Sequence, residues 1–338
     1  MPLLPSARGP RSARMLEALG SGEPGALEGP EPPPPADPLG DDDLQLALYL
    51  AYELHYRGLP GVDEEWEWDP GLLAARRAME RRFESALLEA AGPPPDSPGG
   101  PEAVSAALRD LAGADAGPSL SAHLEGHGTR TQLVEFVVHR SAYQLKEADP
   151  HSFAIPRLSG PPKAALVEIQ SDEYGAGRPE RIHAELFRRA MAAMGLDGGY
   201  GAYLDLIPGV TLATVNIMSM LGLHRRHRGG IVGHLALFEM TSCEPNRRYA
   251  AALRRLGFGP DATEFFDEHV EADAVHENLA AVDLAGGLAR AEPAVAGGIL
   301  WGARALAVLD ARWSRHLLDR WAAGRTSLRR PLSPALAS

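Results

Sequence analysis

"FFDEHVEADAVHE", residues 265–277, places two histidines and an aspartate in one acidic run, and the direction each of them faces decides how the chain is read. At about 100° per residue, His269, Asp273 and His276 fall within roughly a 60° arc of a helix. Phe266, Ala272 and Leu279 flank that arc, whereas Asp267, Glu268, Glu271 and Asn278 point elsewhere. The three polar groups therefore lie on the stripe that faces a core, where polar groups need partners. H-x-x-x-D-x-x-H offers two imidazoles and a carboxylate from consecutive turns, a set suited to non-haem iron, manganese or zinc. Taken alone, the run is read equally well as a helix surface with an i,i+4 His–Asp contact.

The rest of the chain carries the same helical pattern. Candidate helices span about 42–57, 71–91, 101–113, 130–147, 162–173, 179–194, 210–222, 230–243, 246–256, 261–280 and 296–322. Their breaks have local causes in "GPPPDSPGGP" (92–101), "ADPHSFAIPRLSGPP" (148–162) and "YGAGRP" (174–179), where proline and glycine interrupt the pattern. No stretch alternates with period two beyond a few residues, and no internal repeat is found. The pattern predicts an all-α helical bundle. Residues 1–40 hold ten of the 29 prolines and suggest a disordered Pro/Gly-rich tail. A single helical domain is expected over 41–325, with a flexible C-terminal tail over 326–338.

Composition narrows the function classes. The 338 residues are 45% hydrophobic and 23% charged, as in an ordinary globular protein. A net charge of −12 argues against nucleic acid or an anionic membrane as partner. Cys243 is the single cysteine, so no internal disulfide and no cysteine-rich metal site can form, which fits a reducing cytoplasm. No apolar run looks long enough to cross a bilayer, and no signal peptide is expected.

Further acidic residues stand in awkward places. "GGIVGHLALFEMTSC" (229–243) is apolar nearly all round apart from His234 and Glu239, which marks a buried helix. A buried carboxylate must be protonated, paired or metal-bound; a ligand is favoured for Glu239 over a core contact with an arginine or histidine. Glu147 and Glu173 close their helices, where the helix dipole disfavours an anion unless a cation lies nearby. Glu180 and His183 make an E-x-x-H pair with dimetal spacing, and of the two Glu180 reads as a capping charge and His183 as the ligand. "GLHRRHRGG" (222–230) reads as a solvated connection before a binder of a substrate carboxylate. Glu53 and His55 read as structural, and "DEEWEWDP" (63–70) as a packed loop. Glu168 and Tyr174 are candidates for support beside the centre.

Together, "KEADPHSFAIPRLSG", "EIQSDEYGAGRPERIHAELF", "GHLALFEMTS" and "DEHVEADAVHE" resemble the haem-oxygenase-like diiron oxidases and oxygenases, also described as iron-containing redox enzymes. The resemblance runs from about residue 42 to 280 and is strongest to the N-oxygenating central domain of nitrosourea-forming enzymes. It implies a haem-oxygenase-like bundle holding two Fe(II) ions. Glu147, Glu173, His183, Glu239, His269, Asp273 and His276 match the family's ligand positions. Their four carboxylates carry −4 of charge, which balances two ferrous ions.

The resemblance also implies O2 as cosubstrate, an external electron donor and a peroxo-diferric intermediate that N-oxygenates an amine or guanidine of a small, amino-acid-like substrate. The chain has no flavin or nicotinamide fingerprint, so the reductant must come from outside. The rival readings are C–H desaturation or oxidative C–C cleavage of an amino or fatty acid, and a non-catalytic iron-binding bundle. A homodimer is compatible with the sequence.

Overall fold

The structure is a computed structural model describing residues 4–22, 27, 32–96, 99–114 and 119–332, with the side chains of 272–275 outside the description. It is an all-α, haem-oxygenase-like bundle, with no strand among the described residues. Its helices are α1 (Pro10–Ser21), α2 (Asp42–Glu53), α3 (Pro70–Ala91), α4 (Pro101–Gly113), α5 (Leu120–Gly126), α6 (Arg130–Gln144) and α7 (Asp149–Ser152). They continue as α8 (Gly160–Glu173), α9 (His183–Ala193), α10 (Gly209–Leu223), α11 (Arg228–Arg255), α12 (Pro260–Asn278), α13 (Gly287–Ala291) and α14 (Ala296–Ala322).

The long α11 is the central element, packed against α12 and α14 and crossed by α4 and α5. The sequence suggests two helices here, broken near Pro245, because proline removes one backbone donor and crowds the preceding turn. The helix runs through that proline, since both of its halves are held by neighbouring helices. At the α11–α14 crossing, a Cβ on Gly233 would fall 1.8 Å from the Ile299 carbonyl oxygen, so only glycine lets the two backbones meet. After α12 the backbone widens into a π-helical stretch, Leu279–Gly286, packed on α4, α8 and α11.

Three expectations are corrected. Disorder over 1–40 does not extend to Pro10–Ser21, which is helical and packs on α2. Asp43 fastens that helix by accepting from the Arg11 and Ser12 amides at 2.9 and 2.7 Å. The expected flexible tail, 326–338, contains two buried residues near its start, Ser327 and Leu328, and Ser327 donates to Glu135 from both its amide and its hydroxyl. Finally, α14 is long and apolar enough to suit a bilayer by length and composition, contrary to the sequence reading. Here it serves as a core helix, with half of its apolar window buried.

Candidate metal centre

Each acidic or imidazole side chain reaches the centre by a local device. Glu147 lies in the turn after α6, and Ala148 behind it adopts φ 72°, ψ −32°, a conformation that L residues avoid. Gln170 on α8 secures this turn by donating to the Ala148 carbonyl at 2.8 Å. Glu173 is the last residue of α8. The chain then reverses through Gly175 (φ 70°), where a Cβ would meet the Arg181 carbonyl carbon at 2.7 Å. This reversal sets His183 opposite Glu173. His183 is the first residue of α9, after a separate 3-10 turn at Pro179–Arg181, and not an inner residue of a helix starting at 179. Glu239 stands midway along α11, and His269 and His276 lie two turns apart on α12.

Two buried groups result. Glu147, Glu173, His183 and His269 bring one donor atom each within 4.8 Å of one another, and Glu173, Glu239 and His276 do the same. Glu173 belongs to both groups. All six residues are at most 7% exposed. Asp273 completes the expected set, but its side chain lies outside the described residues.

The contacts between these groups are those of donors aimed at a common point. Glu173 Oε2 and His183 Nδ1 form a 3.0 Å ion pair that lacks hydrogen-bond geometry, and Glu147 Oε2 is buried without a hydrogen bond. Leaving a buried oxygen such as Glu147 Oε2 unsatisfied costs roughly 1–3 kcal/mol; a cation among the three atoms would satisfy it. His269 donates from Nδ1 to the Phe265 carbonyl at 2.7 Å, which turns Nε2 towards Glu147 Oε1, 3.6 Å away. This arrangement fixes the tautomer as metal-binding histidines require. His276 lies between Glu239 Oε2 (3.2 Å) and Asp172 Oδ2 (3.0 Å). Oxygen and nitrogen donors without thiolate suit iron or manganese, so the residues fit iron.

Electrostatics hold the same charges in place. Burial pushes Glu147 up, against the pull of His269. Burial also opposes ionisation of Glu173, but the His183, His269 and His276 imidazoles hold its carboxyl down at about 2. Burial lowers His276 as well, yet Glu239 and Asp172 lift it to about 9. Metal entry must therefore displace protons from imidazole.

A cavity of about 490 Å³ opens onto Glu147 and His269, walled by Phe136, Phe187, Phe238 and Phe265. Behind it, Tyr143, His151, Gln170 and Glu239 enclose a void of about 10 Å³, room for one water.

Several neighbours differ from the sequence reading. Asp172 was not anticipated; its signal was the paired carboxylates of "SDE". His151 and His234 form a buried pair, Nε2 to Nδ1 at 3.2 Å, of which only His234 stood out as a polar residue in an apolar helix. Glu168 is exposed, so it gives the centre no support. Tyr174 does, donating to Asp149 at 3.0 Å beside the Glu147 turn. The 222–230 connection is tied to α3, with His224 on Glu80 and Arg226 and His227 on Glu84. Glu53 is structural, buried against Lys146. In the 63–70 loop, Trp66 is buried and Trp68 is exposed, and neither lines the cavity.

Residues 134–311, just over half of the chain, match the family described as iron-containing redox enzyme. That range contains every candidate ligand. The chain is also 27% identical over 136 residues to a nitrosourea synthase of Streptomyces achromogenes subsp. streptozoticus. The similarity covers 40% of this chain and 29% of that relative, so the chain matches under a third of the relative's length.

Proposed function

The chain belongs to the iron-containing redox enzyme family, and from that premise we propose that it is an O2-dependent diiron oxygenase that N-oxygenates an amino-acid-like substrate. The observation that carries the reading is the sharing of Glu173 between two buried donor groups. A carboxylate common to two ligand sets is what a dinuclear centre needs. Glu147, His183 and His269 would hold one iron with Glu173, and Glu239 and His276 the other, joined by Asp273. Bound there, the two ferrous ions would activate O2 with electrons from an external donor.

The chain's own residues prepare the setting. The Phe265 carbonyl and Asp172 orient His269 and His276. The Gln170 and Tyr174 contacts hold the Glu147 turn against α8. The phenylalanine wall keeps bulk water from the centre and leaves a volume suited to a small molecule. That apolar wall also favours the rival reading, oxidation at carbon on an aliphatic chain.

Anaerobic loading with Fe(II), followed by ¹⁸O2 and a panel of amino acids and fatty acids, tests the proposal. Substrate-dependent O2 uptake with label retained on nitrogen is the expected result. Label on carbon, or desaturation without label, supports the rival. An iron-loaded protein that consumes no O2 with any candidate contradicts both.

A further inference from the structure

The cavity presents two opposite charges that the candidate ligands do not use. Arg140 on α6 and Asp310 on α14 both line it. The Arg140 guanidinium carbon sits 4.1 Å from the centre of the Trp313 ring and 5.9 Å from that of Phe136. Stacking of this kind fixes the plane of the guanidinium; one N–H is engaged by the buried Tyr249 hydroxyl, and a guanidinium has further donors for a ligand. Asp310 is half-buried, and among the described residues its carboxylate accepts no hydrogen bond and has no cation at salt-bridge distance. Burial pushes its carboxyl up, and Arg140 only partly draws it back. Neighbouring surface charges behave differently: Arg312 is paired with Asp37, and Arg248 with Glu244. A carboxylate on a cavity wall without a protein cation beside it is open to a ligand that supplies one.

Position adds to chemistry. Arg140 lies near the C-terminal end of α6, and Glu147 stands in the turn just beyond that helix. The charged pair and two of the candidate ligands, Glu147 and His269, line the same cavity. Resting on the oxygenase reading above, we propose that Arg140 and Asp310 form a head-group subsite for a free α-amino acid. Arg140 takes the carboxylate, Asp310 takes the ammonium, and the side chain lies along the phenylalanine wall with its far end at Glu147 and His269. A fatty acid would satisfy Arg140 but leave Asp310 facing a second anion.

The full-length protein, with its iron content measured, is screened by thermal shift against the twenty common L-amino acids and decanoate. The amino acid that stabilises it most is then titrated by calorimetry beside its carboxamide and its N-acetyl derivative. Each derivative is expected to bind roughly tenfold or more weakly, the size of a lost charged hydrogen bond. Arg140→Gln should bind the amino acid and its carboxamide alike, and Asp310→Asn should bind the amino acid and its N-acetyl form alike. The derivatives test the subsite on the unmodified protein even if a variant fails to fold. The proposal is overturned if no amino acid binds, if decanoate binds better than all of them, or if the discrimination survives in both variants. Because binding and iron content are read separately, a failed subsite with iron retained sinks only this inference. A protein that binds amino acids as described but takes up no iron leaves the subsite and sinks the oxygenase reading.

Discussion

At the scale of single residues, strain and unsatisfied polarity gather around the centre. Ala148 and Ala176 are the non-glycine residues with positive φ among those described, the first directly after Glu147 and the second three residues after Glu173. Such backbone conformations cost roughly 1–3 kcal/mol and persist where the surroundings enforce them. Ala148→Gly should therefore raise stability by about 1 kcal/mol in denaturant melts, with iron content unchanged; a loss of stability would show that the turn is not strained. Individual ligands differed in how well the sequence revealed them. Glu239 was legible because a carboxylate in an apolar helix has few explanations. His183 and Glu147 were legible only as weaker hints, an E-x-x-H spacing and a carboxylate at a helix end, since the turns that aim them are set by glycine and alanine conformations that residue identity alone does not encode. Asp172 was hidden because a second carboxylate beside a ligand looks like surface.

At the scale of elements, the bundle depends on close crossings and on buried ion pairs such as Lys146–Glu53. Gly233→Ala would press a methyl into the Ile299 carbonyl and force α11 and α14 apart. Overpacking of this kind costs about 1–3 kcal/mol, and thermal melts would read it; an unshifted midpoint would mean the crossing has slack. Lys146, adjacent to Glu147, meets Glu53 at 3.0 Å with both side chains almost fully buried, and Tyr200 donates to the same carboxylate at 2.8 Å. Lys146→Met strands the Glu53 charge and should cost about 3–5 kcal/mol, whereas the paired change Lys146→Met with Glu53→Gln should recover part of it. Long helices were readable from their apolar period. The short α5 and α7 and the π-helical stretch after α12 were not, because they are shaped by packing more than by local pattern.

At the scale of the whole molecule, distant segments close on one another. His139 on α6 lies 2.7 Å from Thr211 on α10 and 3.0 Å from Ser327 near the chain's end, fully buried. Burial, helped by His316 and Arg140, holds it well below the ordinary histidine range. Its folded form therefore resists a proton that the unfolded chain accepts below about pH 6.5, so this residue's contribution to stability falls as pH falls. His139→Gln should destabilise the protein at neutral pH, and that difference should shrink by up to about 1.4 kcal/mol per pH unit on acidification; a constant difference would contradict neutral burial. The cavity is the feature least legible in the sequence, because its walls come from helices far apart along the chain. The central claim is that Glu173 joins two irons. Anaerobic titration with Fe(II) should give two ions per chain in the native protein, one in Glu239→Ala and less than one in Glu173→Ala; a native protein that binds a single iron, or a Glu173→Ala protein that keeps two, would contradict it.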